Sequence, residues 1–233
     1  MDGGQQLGER RLAMRRETFE KGGGIPFEEN LVFFAPLTEG DLTDHVSGQS
    51  LVYPSGGVVF DSERGMYLFS KMSKTNEIYF PVNLYAAGIQ QCRYTIFVDC
   101  QAQTYGYYNY PPYVVIGGYS DTTSWRPSVA CIRNESNTTR GLRKKRAFVA
   151  TKSATMAPEY SAYYIDDAGV HYVFGENNLS LGSVIDPQNW TPIMKQRVSL
   201  NPKRDSNDTN YKVYLKDIRI YNRALSENEL AQL

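Results

Sequence analysis

The sequence predicts an all-β fold: an antiparallel β-sandwich that ends in a short helical turn. From residue 30 onward, short segments that alternate apolar and polar side chains are separated by clusters of Gly, Pro, Asn, Asp and Ser. Aromatic residues favour strands, and the 233 residues include 18 Tyr and 10 Phe. No long helical pattern follows Gly24. Many short strands without intervening helices are typical of a sandwich, and a jelly roll is the commonest arrangement of so many.

The chain divides into an arm and one main domain. Residues 30–233 are expected to form the sandwich, a length that one β domain commonly reaches. Residues 1–29 are expected to form a helical or extended N-terminal arm, with the glycines at 22–24 as a flexible linker. Two arginine pairs lie in the arm: Arg10, Arg11, Arg15 and Arg16. They indicate a segment that docks on a partner and becomes ordered there, and a frayed tail is the alternative.

The first half of the domain supplies five predicted strands. Leu31–Leu37 is an apolar run that Pro36 and a polar stretch bring to an end. Two strands then flank a turn at Ser62–Gly65. The segment "RYTIFVDCQAQ" alternates, so that Ile96 points to one face of its sheet and Phe97 to the other. A compact strand, "YVVIGGY", follows and ends in glycines.

The second half continues with strands on either side of a tight turn. "RAFVATKS" and "SAYYIDDAGVHYVFG" are the next strand segments, and Ile165–Gly169 forms the turn within the second. A dense charge run, Arg140–Arg146, precedes them. We expect this run to be a solvated loop between strands, and contact with phosphate or an anionic polysaccharide is the alternative.

The last strand, "VYLKDIRIY", is expected to bury one face and to expose the other to water. Ile218 and Ile220 point one way, whereas Asp217 and Arg219 point the other way together with Tyr221. The sequence therefore predicts a strand with an apolar inner side and a charged outer side.

A very short helix with clear start signals follows this strand. Ser226 and Glu229 have the spacing of a capping box, and Leu225 and Leu230 have that of a hydrophobic staple. A helix of this length is not stable alone. We therefore expect it to dock on the sandwich through the two staple leucines and Leu233.

The ending "DIRIYNRALS", residues 217–226, resembles the C-terminal signature of laminin G-like jelly-roll domains, in the concanavalin A-like lectin/glucanase superfamily. "LVFFAPLTEGDLTDHVSG" is similar to the first strand and turn of that family, and Gly65–Phe69 is similar to a later strand. The family's Trp-His pair before another strand is absent, because Lys145 and Arg146 stand there. The resemblance spans residues 30–233. It implies that the first and last strands lie side by side and that the final turn plugs the sandwich edge.

The N-terminal stretch is similar in style to structural proteins of bacteriophages and prophages from gut bacteria. In those proteins a lectin-like domain sits on a tail or head fibre. The resemblance implies a homo-oligomer in a phage particle, whose arm contacts other structural proteins and whose domain binds a host-surface glycan. Without such a particle, the absence of a secretory signal would leave the chain in the cytoplasm. A purely structural fibre or decoration protein without a glycan ligand is the alternative.

The charge balance and the absence of catalytic motifs bear on which classes of function we expect. Lys plus Arg equals Asp plus Glu at 25 each, and no apolar run reaches the roughly 20 residues that span a bilayer, so we expect neither nucleic acid nor membrane insertion. Glucanases on the implied fold carry a Glu-x-Asp-x-x-Glu triplet, which this sequence lacks. Neither histidine, His45 or His171, lies in a nucleophile motif. The sequence therefore predicts a protein that is not an enzyme.

One aromatic-rich stretch is the candidate glycan site. In "QTYGYYNYPPYVVIGGYSDTTSW", glycines and prolines surround tyrosines that could stack on sugar rings, while amide and carboxylate neighbours bind hydroxyls. The candidate residues are Tyr107, Tyr108, Asn109, Tyr110, Asp121 and Trp125. The alternative is that half of these tyrosines belong to the core and the rest cover it.

Calcium is the one metal that the implied superfamily suggests, and no other cofactor is expected. The acidic turn Asp166–Asp167 is the chosen candidate site. Asp41, Asp44 and Asp186 are further possible ligands. None of these residues has the regular oxygen-ligand spacing of an EF-hand, so ordinary turn aspartates are the alternative.

Overall fold

A computed structural model describes residues 24–37, 40–53, 58–68, 78–84, 87, 89, 93–102, 114–116, 143–151, 160–172, 198–200 and 213–233. β-Strands dominate these residues, which confirms the all-β prediction. The elements, in chain order, are β1 (Leu31–Ala35), β2 (Val58–Asp61), β3 (Gly65–Leu68), β4 (Tyr79–Phe80), β5 (Tyr94–Ala102), β6 (Val114–Ile116), β7 (Arg143–Ala150), β8 (Tyr160–Asp166), β9 (Gly169–Tyr172), β10 (Val198–Leu200), β11 (Val213–Tyr221) and the helix α1 (Glu227–Leu230).

The strands form two antiparallel sheets. The large sheet has the order β2-β3-β11-β5-β7-β8-β9, and β1 also pairs with β11. The small sheet has the order β4-β10-β6. We call the side of the large sheet that faces the small sheet its inner face, and the opposite side its outer face.

A large apolar cluster fills the space between the two sheets. Alternate residues of the long strands point into it, as the period of two along a strand requires. Its buried members include Tyr94, Ile96, Val98, Phe148, Ile218 and Ile220 from the large sheet and Phe80, Val198 and Leu200 from the small sheet. The rings of Phe33 and Phe80 meet edge to face across the interior, with centroids 5.1 Å apart. This packing makes the protein a β-sandwich.

The first and last strands lie side by side, as the family resemblance implied. β1 pairs with β11 in antiparallel register, with Phe33 opposite Ile220 and Phe34 opposite Arg219. The other edge of β1 is covered locally, because the Phe34 N–H donates to the Asp44 carboxylate at 2.9 Å and the Phe34 carbonyl accepts from the His45 N–H at 2.7 Å. The loop after β1 thereby protects a strand edge that would otherwise expose backbone groups.

The outer side of β11 is mostly buried, which corrects the prediction of a wet face on this strand. The side chains of Asp217 and Arg219 are only 18% and 15% exposed, and they form a bidentate ion pair. The Arg219 guanidinium lies over the rings of Phe97 and Phe34, at 5.2 and 5.7 Å from their centroids. Burial raises the pKa of Asp217, although Arg219 opposes that rise. Alternation placed these charges on the correct face, but it did not show that the face is covered.

The C-terminal segment covers much of that outer face. Its three leucines, Leu225, Leu230 and Leu233, are buried in a second apolar cluster with Phe97, Ala147, Val149, Ile165 and Tyr221. The predicted docking of the helix is confirmed, but the leucines cover the outer face of the large sheet instead of plugging the sandwich edge. The helix must pack in this way because four residues cannot hold helical structure alone.

Side-chain hydrogen bonds fix the connection between β11 and the helix. The Glu229 carboxylate accepts from the Ser226 N–H at 2.8 Å and from the Ser226 hydroxyl at 2.9 Å, and it pairs with Arg223 at 2.8 Å. The Thr95 hydroxyl donates to the Arg223 carbonyl and accepts from the Leu225 N–H, both at 2.9 Å. The predicted partnership of Ser226 and Glu229 is therefore present at the start of the helix.

The end of the basic run is strand, not loop. Arg143–Arg146 belong to β7, which pairs with β5 on one side and with β8 on the other. The Lys145 amine donates to the Leu233 carbonyl at 3.0 Å. The prediction of a loop was wrong because a central strand tolerates charges where neighbouring strands and loops offer them partners. Among the described residues, no helix is both long and apolar enough to cross a membrane.

Candidate functional site

The aromatic site predicted from the sequence lies outside the described residues. This applies to Tyr107, Tyr108, Asn109, Tyr110, Asp121 and Trp125. The arm residues Arg10, Arg11, Arg15 and Arg16 also lie outside them. Both assignments stay predictions. The turn that holds the predicted metal pair, Asp166 and Asp167, is described and belongs to a hairpin that carries several aromatic side chains.

Strands β8 and β9 form this hairpin, at one end of the described large sheet. On its outer face, the rings of Tyr163 and Tyr172 meet at 61° with centroids 5.5 Å apart. On its inner face, Tyr164 and His171 stack at 11° with centroids 4.3 Å apart. The pairs lie on opposite faces because successive residues of a strand alternate. The hairpin therefore carries aromatic rings on both sides, and we call these four residues the hairpin aromatics.

The outer pair combines an exposed ring with a supported one. Tyr172 is 51% exposed, the largest exposure of any large hydrophobic side chain in the described part of the chain. Tyr163 packs against the second apolar cluster, and burial raises the pKa of its hydroxyl, with a smaller contribution from Glu227 of α1. Helix α1 lies next to β9. The C-terminal segment thus supports the base of the outer pair, while Tyr172 faces solvent.

A carboxylate is held beside the inner pair. Asp166 accepts the Ala168 N–H at 2.9 Å and forms a 2.9 Å hydrogen bond with Nε2 of His171. The bond to His171 holds the pKa of Asp166 below its usual value, so this carboxylate is ionised at neutral pH. The side chains are half exposed in Asp166 and one-third exposed in His171. The turn thereby fixes an imidazole and an accessible anion beside the Tyr164 ring.

Two of the calcium candidates, Asp44 and Asp41, have other partners in the structure. The buried Asp44 carboxylate accepts three backbone N–H groups, those of Phe34, Val46 and Ser47, and the Ser47 hydroxyl also donates to it. Asp41 accepts from the Thr43 N–H and contacts His45 at 2.6 Å. Among the described residues, no three His, Cys, Asp or Glu side chains are grouped as a metal site requires. Asp186 lies outside those residues, and a calcium site at Asp166 and Asp167 stays a prediction.

The length of the turn in the sequence is a signal for the pairing of the hairpin aromatics. In "AYYIDDAGVHY", Asp167 and Ala168 form a two-residue turn, so residues at equal distances from it must pair across the hairpin. That rule places Tyr164 opposite His171 and Tyr163 opposite Tyr172, as observed. The turn was predicted correctly, but its flanking tyrosines were expected only to be strand residues.

No family model matches the sequence, and no curated protein matches it either. Solved structures do resemble the fold. Trypanosoma rangeli sialidase in complex with sialic acid has a TM-score of 0.53 at 13% identity, over 98% of this chain and 38% of the sialidase chain. The same enzyme with the inhibitor DANA has a TM-score of 0.56 at 13% identity, over 100% and 39%. A tryptophan-to-alanine mutant of HCR/D has a TM-score of 0.50 at 10% identity, over 88% and 50%.

These similarities establish the fold and not the activity. The chain spans about two fifths of the sialidase chains and half of the HCR/D chain. At 10–13% identity, a shared β-sandwich of the jelly-roll kind is what the resemblance shows.

The comparisons overturn the prediction that the chain is not an enzyme. That prediction rested on the missing glucanase triplet and on the sparse histidines. Several of the similar structures are sialidases, which are enzymes, so the overall likeness is to chains that catalyse. The carboxylate pattern of one glycosidase class does not decide the matter, because other classes use different groups.

Proposed function

We propose that this chain is a carbohydrate-recognition protein with a laminin G-like sandwich, and that the β8–β9 hairpin holds its glycan site. One observation carries the proposal: two cross-strand aromatic pairs flank a turn with an accessible carboxylate. Tyr172 is the most exposed aromatic ring among the side chains that the structure describes. The tyrosine-rich stretch with Tyr107, Tyr108, Tyr110 and Trp125 is a second part of the same proposal.

Ring faces and carboxylates have complementary roles in sugar binding. The face of an aromatic ring carries negative charge density, which attracts the weakly positive C–H groups on one side of a pyranose. Carboxylate oxygens accept hydrogen bonds from sugar hydroxyls, and charge-assisted bonds of this kind are the stronger ones. Tyr172 provides an exposed ring on the outer face, and Asp166 provides an anion near the inner face. The hairpin therefore offers both kinds of contact.

The surroundings of the hairpin also favour binding. β8 pairs with β7 over six residues, and Tyr163 packs against the buried C-terminal segment. Side chains held in this way lose little conformational freedom when a ligand arrives. The similar sialidase structure with sialic acid provides weaker support, since its title names a sugar as the ligand of that enzyme.

The test is glycan binding by the full chain and by single variants. The intact protein is screened on a glycan array, and the affinity of the best glycan is measured by calorimetry. Tyr172→Ala is expected to weaken binding by about 5- to 30-fold, the effect of removing one stacking contact of roughly 1–2 kcal/mol. Tyr53→Ala is the matched control, since Tyr53 is a 43% exposed tyrosine outside the hairpin. Equal affinities of folded Tyr172→Ala and Tyr164→Ala variants and the intact chain would move the site elsewhere.

The structural alternative predicts a different outcome of the same screen. If no glycan binds the intact chain, a purely structural role in a fibre or particle accounts for the sandwich better. If glycans bind, each stacking contact is weak, so a multivalent assembly would raise the avidity.

The proposed setting is a phage particle, in which the arm joins a homo-oligomeric domain to other structural proteins. Sequence style and the arginine pairs at 10–11 and 15–16 support this setting. Deletion of residues 1–23 is expected to leave the melting temperature of the remainder unchanged and to abolish its incorporation into the assembly. Normal incorporation of the truncated chain would show that the arm has no docking role.

A further inference from the structure

We propose that the outer face of the hairpin selects a cationic sugar, one that carries a protonated amine. This inference rests on the proposed glycan site and adds the charge class of its ligand. The feature behind it is the position of helix α1, which begins at Glu227 and lies next to β9, the strand that carries Tyr172 of the Tyr163–Tyr172 pair. A ligand that stacks on Tyr172 would place a ring substituent close to that carboxylate.

Glu227 is placed near the tyrosines by the fold of the C-terminal segment. Leu225 and Leu230, on either side of it, are buried against the outer face of the large sheet. Helix α1 consequently lies next to β9, and the Glu227 charge influences the Tyr163 hydroxyl. Glu227 itself is exposed. The carboxylate therefore sits beside the aromatic pair and stays accessible to a ligand.

Glu227 is an exposed carboxylate outside the ion pairs of the described residues. Arg223, close to it in sequence, pairs with Glu229 at 2.8 Å, and the Lys145 amine donates to the Leu233 carbonyl at 3.0 Å. Among the side chains that the structure describes, no lysine or arginine forms an ion pair with Glu227. Asp167, at the tip of the same hairpin, adds a second exposed carboxylate. A carboxylate beside an aromatic pair attracts cations and repels anions.

An ammonium group can interact with both the tyrosine ring and the carboxylate of this surface. Cations are attracted to the faces of tyrosine rings as well as to carboxylates. A neutral sugar uses only the ring, and a sugar with a carboxylate of its own meets repulsion. The expected order of affinity is thus cationic, then neutral, then anionic, which is the reverse of a preference for sialic acid.

The test compares oligosaccharides that differ only in charge. Glucosamine oligomers and their N-acetylated counterparts of equal length are titrated into the full chain at about pH 6, below the usual pKa of an amine. A sialylated oligosaccharide provides the anionic arm. The cationic oligomer is expected to bind about 3- to 30-fold more tightly than the neutral one, from the combined ring and carboxylate contacts. The difference should shrink as salt is added.

Two variants assign the preference to its residues. Glu227→Gln keeps the shape of the side chain and is expected to remove most of the cationic preference while neutral binding persists. Glu63→Gln is the matched control, because Glu63 is an exposed carboxylate in the β2–β3 hairpin. Tyr172→Phe keeps the ring and is expected to keep the preference.

The outcomes separate this inference from the proposed function. Failure of all three oligosaccharides to bind would count against the glycan site itself. Tighter binding of the neutral or sialylated oligosaccharide would overturn the charge class while the glycan site stands. Equal loss in Glu63→Gln and Glu227→Gln would show a general charge effect and refute the assignment. Stronger binding of a lysine-rich peptide than of the glucosamine oligomer would assign the surface to a protein partner and also overturn it.

Discussion

Replacing Gly65 by alanine should destabilise the protein strongly, because two separate constraints act on this one residue. Gly65 has φ +95°, a conformation that residues with a side chain rarely adopt. A Cβ atom there would also lie 2.5 Å from the Leu215 carbonyl oxygen and 2.9 Å from Cα of Lys216. The register of β11 shifts at this point, between Leu215 and Asp217. The irregularity brings its backbone against the start of β3, where only a glycine fits.

The size of the effect follows from those two constraints. Forcing a non-glycine residue into such a backbone region costs about 1–3 kcal/mol. The contact is with backbone atoms, which cannot move aside as a flexible side chain does. Overpacking of this kind costs about 1–3 kcal/mol more. We therefore expect Gly65→Ala to lower the free energy of unfolding by about 2–6 kcal/mol. In a domain of this size, that corresponds to a melting temperature lower by roughly 4–24 °C.

Urea denaturation of Gly65→Ala and Gly40→Ala separates the two constraints. Gly40 has φ +80°, but a Cβ atom added there would meet nothing within 4 Å. Gly40→Ala therefore reports the dihedral strain alone, and the difference between the variants reports the close approach to β11. We expect Gly65→Ala to be the less stable by about 1–3 kcal/mol, with similar denaturant slopes. Equal stabilities of the two variants would refute the reasoning.

The remaining predictions concern the C-terminal segment. Leu230→Ala should lower the free energy of unfolding by about 2–4 kcal/mol, because the leucine is fully buried. Ser226→Ala should lower it by about 1 kcal/mol through the lost helix cap. Unchanged melting temperatures of both variants would show that the helix does not contribute to the stability of the domain. Hydrogen bonds from Arg223 and Ser226 lower the pKa of Glu229 from 4.5 to about 2. Its contribution to stability is complete above pH 4.5 and is lost as the pH falls towards 2, since the folded state then binds fewer protons than the unfolded chain. Glu229→Gln should therefore flatten the fall in melting temperature over this range, and an unchanged acid profile would contradict the assignment.

Local patterns made much of the fold predictable. The alternation in Tyr94–Asp99 gave the two faces of β5 correctly, since Ile96 is in the core between the sheets and Phe97 is in the cluster on the outer face. The Ser226–Glu229 spacing predicted the helix start, and the family resemblance implied the pairing of β1 with β11. These features depend on neighbours in the sequence or on one matched motif, which is why they can be read from the chain.

Features that depend on distant parts of the chain were not predictable in the same way. The outer side of β11 reads as a wet surface, but Arg219 is buried because β1 and β5 bring Phe34 and Phe97 beneath its guanidinium. The basic run reads as a loop, but Lys145 is accommodated in a central strand because the C-terminal Leu233 carbonyl reaches its amine. In each case the partner lies dozens of residues away, and only the tertiary structure shows it.

The same distinction between local patterns and distant contacts applies to the candidate site. The turn at Asp166–Asp167 was evident from its sequence, and pairing across it follows from the turn length. The exposure of Tyr172 and the approach of Glu227 depend on where the C-terminal helix docks, which no local pattern specifies.

A titration followed by NMR would test the central claim most directly: that the β8–β9 hairpin is where a glycan binds. The isotope-labelled full chain is titrated with the oligosaccharide that ranks first on the array, and the shifted backbone and aromatic signals are assigned. We predict that the largest shifts fall on Tyr163, Tyr164, His171 and Tyr172, with smaller shifts at Glu227. Saturable shifts confined to residues outside 160–172 and the C-terminal segment would contradict the account.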